Sequence, residues 1–291
     1  MLLALGAIAA IKGQPAAPQG PKVIEVDKLG ETLYVLKGGG GNTAVFLTAD
    51  GVTVVDAKNP GWGQPILDKI KELTPKPVTR LINTHTHGDH VSGNVDFPAT
   101  IDSVVQENTK TNMEKMDIFK QNAGRGLPKR TFTEKMTIGS GADEIDLYYF
   151  GPGHTNGDAI VVFPALRTAH TGDLFAGKGL PFVDGNNGGS VLRYPETLNK
   201  VHAGIKNVDT IINGHLPSTT TWADLKTFAE FNQDFLTWAQ AALASGKPAK
   251  DAAADWKVPA KYEALGYQTA APTMGGGIEG RLTLLASETK K

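Results

Sequence analysis

The sequence contains no cysteine. That excludes disulfides, thiolate metal ligands and cysteine nucleophiles. It leaves the compartment open, because a cysteine-free chain suits an oxidising space as well as a reducing one. A dominant charge is also missing: 29 Lys and Arg stand against 30 Asp and Glu, for a formal net charge of -1. With that balance and no long basic run, nothing suggests a nucleic-acid partner or an anionic membrane surface. No apolar run is long enough to span a bilayer, and no repeat occurs at solenoid periods. What remains is an ordinary globular composition, 40% hydrophobic and 20% charged, in a chain of 291 residues that can bury a sizeable core.

Leu2 to Ala10 is apolar, Ala7-Ile8-Ala9 fits a small-x-small cleavage pattern, and Gly13 to Pro21 is rich in Gly, Pro, Ala and Gln. Residues 1–21 therefore read as a signal-peptide remnant running into a linker, although no Lys precedes the apolar run. Export to the periplasm or beyond is the matching expectation. Residues 22–291 read as one domain, since no linker divides them. Leu33 to Leu36 and Ala44 to Leu47 are short apolar runs joined by Gly38-Gly39-Gly40-Gly41-Asn42, a hairpin signal, and Val52 to Val55 is β-branched. The opening is thus expected to be antiparallel.

From Gln64 the period changes. Ile66, Leu67, Ile70 and Leu73 recur at helical spacing, closed by Pro75 and Pro77. Strands are expected at Val78 to Asn83, Ile145 to Phe150, Ala159 to Phe163, Thr168 to Thr171 and Thr210 to Asn213. Thr109 to Gln121 reads as a single helix ended by Gly124-Arg125-Gly126. A last helix carries Trp222, Leu225, Phe228, Phe231, Phe235, Trp238 and Ala242 on one face. This alternation predicts an α/β fold with helices covering sheet faces.

Three of the seven histidines lie within six residues, in His85-Thr86-His87-Gly88-Asp89-His90, directly after a predicted strand. Imidazole and carboxylate both suit zinc. His85 and His87, two apart on extended chain, point the same way, and Gly88 permits a turn that aims Asp89 and His90 elsewhere. One run can thus serve two adjacent metals. His154, Asp173 and His215 each follow another predicted strand beside a glycine. Ligands in α/β proteins gather at such strand ends. His170 reads instead as a strand residue facing the core, and His202 as an exposed helix residue.

The run matches the HxHxDH motif of the metallo-β-lactamase superfamily, which the chain resembles from about Val23 onward. The resemblance implies an αββα sandwich, two mixed sheets with outer helices. It implies one metal held by His85, His87 and His154, another by Asp89, His90 and His215, and Asp173 bridging them. Asp56, after a strand, matches the family's early acidic residue and would orient a ligand by hydrogen bonding; a turn cap is the competing role. Two zinc ions are expected, with manganese or iron compatible with an N/O donor set. Asp173 and Asp89 become the catalytic carboxylates, Asp89 orienting a metal-bridging hydroxide available near neutral pH.

Asp173 also bears on substrate. In true β-lactamases of this superfamily the matching residue is usually Cys or Ser, whereas thioesterases, lactonases and phosphodiesterases carry Asp. The expected activity is hydrolysis of a small ester, lactone, thioester or amide, with β-lactam cleavage as the alternative. A nuclease or a non-catalytic metal-binding protein is a weaker reading. The partner is then a small molecule, with neither nucleic acid nor membrane. Trp62, Phe175 and Phe182, with Tyr194, are candidates for an apolar rim around the site. Leu180-Pro181-Phe182-Val183-Asp184 with Gly188-Gly189-Ser190 resembles a pattern of secreted bacterial members.

Overall fold

The protein is described by a computed structural model covering residues 22–269 and 276–290. The expected signal remnant and linker, 1–21, lie outside these residues. Seven strands form the first sheet: β1 (Glu25–Lys28), β2 (Leu33–Lys37), β3 (Thr43–Thr48), β4 (Gly51–Val55), β5 (Val78–Ile82), β6 (Asp102–Gln106) and β7 (Arg130–Phe132), in sequence order. The pairs from β1 to β4 are antiparallel, and those from β4 to β7 are parallel. The second sheet holds β8 (Lys135–Ile138), β9 (Ile145–Tyr148), β10 (Ile160–Phe163), β11 (Thr168–Gly172), β12 (Thr210–Asn213) and β13 (Thr220–Thr221). It is antiparallel except for β11 and β12.

Alternation along the strands sorts side chains into three layers. Between the sheets lie Val35, Ala44, Phe46 and Val55 from one and Leu147, Val161, Phe163 and Ile212 from the other, with the Phe46 and Phe163 rings 4.9 Å apart. Val45, Val54 and Leu81 face outward onto Ile66 and Ile70 of α1 (Gly63–Leu73). Central strands such as β4 and β10 are buried on both faces, which is why they read as continuous apolar runs.

After β5 come α2 (Gly88–Val91), α3 (Glu107–Met113) and α4 (Asp117–Gln121). The single helix expected over Thr109 to Gln121 is broken. The end of α3 tightens to three-residue bonds, Lys115 to Asn112 and Met116 to Met113, and Met116 turns extended (φ -74°, ψ 135°). Met113 and Phe119 thereby both enter a small core with Val91 and Val105.

The outer face of the second sheet, Ile160, Val162, Ala169 and Ile211, is covered by α5 (Tyr194–Gly204), α6 (Trp222–Ala244), α7 (Ala249–Ala253), α8 (Ala260–Glu263) and α9 (Gly277–Glu288). Helix α6 starts with a capping box between Thr221 and Asp224 and buries Leu225, Phe228, Phe231 and Phe235. The molecule is an α/β sandwich with two mixed sheets inside and helices outside. Among the described residues no helix is long and apolar enough to cross a membrane.

Candidate metal centre

Four strand ends converge at one edge of the sandwich. The run after β5 brings His85, His87, Asp89 and His90; the loop after β9 brings His154; the turn after β11 brings Asp173; the turn after β12 brings His215. Donor atoms of His85, His87, His154 and Asp173 lie within 4.8 Å of one another, as do those of Asp89, His90 and His215. Asp173 joins the two groups. Its Oδ1 lies 3.3 Å from His90 Nε2, and its Oδ2 lies 3.2 Å from His215 Nε2 and 3.6 Å from His154 Nε2. Close packing of backbone makes this possible: a β-carbon on Gly214 would overlap the Asp173 carboxylate, and one on Gly41 would overlap the His90 ring.

Hydrogen bonds on the far side of four of the five rings orient the near side. Asp56 is fully buried at the end of β4, at φ 67°. Its carboxylate accepts from the Thr84 amide (2.8 Å) and hydroxyl (2.8 Å) and faces His90 Nδ1 at 2.7 Å. The Thr84 hydroxyl, its proton given to Asp56, accepts from His85 Nδ1 at 3.0 Å. His154 Nδ1 donates to the Phe182 carbonyl at 2.7 Å, and His87 Nε2 to Asp184 at 2.9 Å. These bonds assign the tautomers. They leave His85 Nε2, His87 Nδ1 and His154 Nε2 with lone pairs turned inward, and they turn His90 Nε2 toward Asp173, where it can ligate once its proton leaves.

That interior fits a metal. His85 Nε2 and Asp173 Oδ1 are buried and have no hydrogen-bond partner, and His154 Nε2 and His87 Nδ1 face each other at 2.8 Å. Burial, reinforced by His90 and His154, holds His85 well below the ordinary imidazole pKa. Burial and His87 likewise push His154 down to about 4. Both are neutral donors at pH 7. At the other group burial opposes charge on His90, but Asp173 and Asp56 outweigh it and raise its pKa well above normal. His215 is raised to about 9 by its hydrogen bonds to Asp173 and Asp89, against the opposing effect of burial. Burial would raise Asp173, yet His90 and His215 keep it well below the usual carboxylate range. Seven N and O donors of this kind suit zinc, and also manganese or iron.

The site opens into a cavity of about 810 Å³. Leu180, Pro181 and Phe182 form its apolar wall, and Gln268, Thr269 and the carboxylates of Asp89, Asp173 and Asp184 also line it. Of the four aromatic rim candidates only Phe182 lines it. Phe175 is fully buried and stacks on Phe228 at 4.6 Å, because the turn after β11 sends it under the sheet. Tyr194 is buried beside it, its hydroxyl donating to the Leu174 carbonyl at 3.1 Å. Trp62 sits at the start of α1 against Gly39, beneath the Lys22 ammonium.

His170 is buried within β11 and bonds the Asn42 carbonyl at 3.0 Å. His202 is half-buried, not exposed, and stacks on Trp222. Asp184 had no role assigned from the sequence. Lys58 was also missed. It is fully buried at φ 66°, and its ammonium donates to the Leu36 and Gly41 carbonyls, so it fastens the glycine loop against His90. Burial lowers its pKa to about 7.

Comparison with known proteins agrees with this geometry. The family model described as metallo-beta-lactamase superfamily matches residues 36–215, and the chain belongs to that superfamily of metal-dependent hydrolases. A protein named metallo-beta-lactamase type 2 from Elizabethkingia meningoseptica is 26% identical over 230 residues, covering 74% of this chain and 86% of its own length. A hydroxyacylglutathione hydrolase from Nostoc punctiforme is 29% identical over 139 residues; the match takes in 48% of this chain and half of that relative. Among solved structures, a metallo-beta-lactamase from Pontibacter korlensis superposes with a TM-score of 0.62 at 19% identity, over 72% of this chain and 99% of its own.

Proposed function

We propose that the protein is a dinuclear zinc hydrolase acting on a small ester, lactone, thioester or amide. The observation that carries this reading is the Asp173 carboxylate, which faces histidines of both groups at 3.2–3.6 Å. One metal would be held by His85, His87 and His154, the other by Asp89, His90 and His215, with Asp173 shared. Zinc held there would lower the pKa of a bound water to about 7 and polarise the substrate carbonyl.

The chain's own groups do the rest. Asp56, Thr84, Asp184 and the Phe182 carbonyl fix the rings, so their lone pairs need no reorientation when metal or substrate arrives. Asp89, held near His215 at 3.2 Å, would orient a nucleophile at the mouth of the cavity. Leu180, Pro181 and Phe182 would take the apolar part of the substrate and exclude water from the scissile bond. Among the described lining residues the one Lys or Arg is Lys178, and its ammonium is engaged with the Leu265 carbonyl (3.3 Å) and Asp224 (3.8 Å). That supports a substrate uncharged near its reacting bond.

The second reading is β-lactam cleavage, favoured by the Elizabethkingia relative, whose match spans most of both chains. A hydrolysis screen over β-lactams, lactones, thioesters, simple esters and phosphodiesters, with and without chelator, decides between them. Chelator-sensitive turnover of a lactone, ester or thioester, with β-lactams cleaved slowly or not at all, is expected. Efficient β-lactam turnover with none of the others would select the second reading.

A further inference from the structure

The segment from Leu180 to Asp184 is fixed on two sides. Toward the metal centre, the Phe182 carbonyl accepts from His154 Nδ1 and the Asp184 carboxylate from His87 Nε2. The Phe182 ring also stacks on His87, with centroids 5.6 Å apart. Away from it, the carbonyls of Leu180 (2.9 Å) and Pro181 both accept from one terminal nitrogen of Arg281. The other terminal nitrogen donates to the Gly277 carbonyl at 2.8 Å. Arg281 lies on α9 and is 4% exposed.

All three hydrogen bonds of this guanidinium go to backbone carbonyls, and burial lowers its pKa to about 10. An interior cation of this kind is costly, and a methionine would fill similar space without desolvating a charge. What the guanidinium alone supplies is a rigid fork of donors that can hold successive carbonyls. Helix α9 meets the same stretch of chain twice more. Leu284 packs on Gly185, and the Glu288 carboxylate accepts from the Leu192 amide at 3.0 Å. Toward the core, α9 is anchored by Ile278, Leu282 and Leu285.

We propose that Arg281 is a positioning residue for the metal centre. Through the Leu180 and Pro181 carbonyls it holds the segment whose next residues orient His154 and His87. The C-terminal helix thereby sets the metal affinity of the three-imidazole half and the apolar wall of the cavity. In the other half, His90 is oriented by Asp56 and His215 faces Asp89, so that half stands outside this control.

The test uses the full chain carrying Arg281→Met or Arg281→Lys, with imidazole N–H exchange followed by nitrogen-15 NMR in the zinc-loaded protein. The protons on His154 Nδ1 and His87 Nε2 are read against the proton on His90 Nδ1. Arg281→Met should speed exchange of the first two about tenfold or more and leave the third within about twofold; chelator should then strip one of two zinc ions about tenfold more readily. Arg281→Lys keeps the charge but loses the fork, so it should fall between wild type and Arg281→Met. If Arg281→Met does not fold, Arg281→Lys alone is judged by the same pattern. Equal change at all three rings, change at one of the pair only, or no change overturns the proposal. Both arms need bound zinc, and neither needs turnover. A wild type that turns nothing over thus fails the hydrolase reading and leaves this comparison intact.

Discussion

The two halves of the metal centre share one run of six residues but sit in different surroundings. The three-imidazole half is sealed, with the His85 and His154 side chains 1% and 2% exposed. The other half is open on one side, with the His215 and Asp89 side chains 42% and 31% exposed, although His90 beneath them is fully buried. The sealed half keeps His85 and His154 neutral by desolvation, whereas the other half holds protons on His90 and His215 through Asp173, Asp56 and Asp89. In a division of labour of this kind, the sealed half would hold metal with little proton exchange. The open half would release protons on loading and meet the incoming substrate.

The strongest test of the join between halves is Asp173→Ala. Bound metal should fall at both halves and kcat/KM should drop about 10³-fold, the equivalent of the several kcal/mol a metal contributes to the transition state. Metal analysis after dialysis checks it, and two retained metals with full turnover would contradict it. Asp56→Asn comes next. Because Asp56 touches His90 directly and His85 through Thr84, zinc affinity should weaken at both halves, about 10- to 100-fold. A change at one half only would show that the shared support through Thr84 does not operate.

Gly41→Ala should separate the halves. Its β-carbon would push the His90 ring, weakening one zinc-binding step about tenfold while the other moves less than about twofold. Two-step competition with a chromophoric chelator measures this, and equal weakening of both steps would contradict it.

The smallest effect is on the stability of the metal-free protein, and here the halves have opposite signs. His154 titrates at about 4 in the fold and near 6.5 in the unfolded chain, so the unfolded state takes the proton first and stability falls as pH drops from about 6.5 to 4. His215 titrates at about 9 in the fold, so its contribution is complete below about 6.5 and is lost as pH rises to about 9. Urea unfolding of chelator-treated protein at pH 4.5, 6.5 and 9, chosen to bracket these shifts, should give the greatest stability at the middle value. A monotonic rise to pH 9 would remove the His215 part of the account.

Much of the fold was legible because β4, β5, β10, β11 and β12 are short, largely β-branched or apolar runs, and four strand ends carry a ligand-type side chain; the central strand β6 was missed, because Asp102-Ser103-Val104-Val105-Gln106 offers only two apolar residues. The edge strands β7 and β8 were not legible either, since Arg130-Thr131-Phe132 and Lys135 to Ile138 mix exposed polar residues with single buried ones. Aromatic character alone could not separate Phe182, which lines the cavity, from Phe175, which the β11 turn drives into the core. The orienting groups were the least visible. Phe182 acts through a carbonyl that every residue has, and Asp184 through a contact 97 residues from His87. Lys58 reads as a surface lysine until its buried carbonyl partners are seen.

Two metals acting together are what the proposed hydrolase requires. Turnover of a lactone or thioester should therefore be followed as zinc is added stepwise to chelator-stripped protein. Activity absent without zinc and level after two equivalents is the predicted result. Full turnover in the stripped protein, or a plateau after one equivalent with no second ion bound, would contradict it.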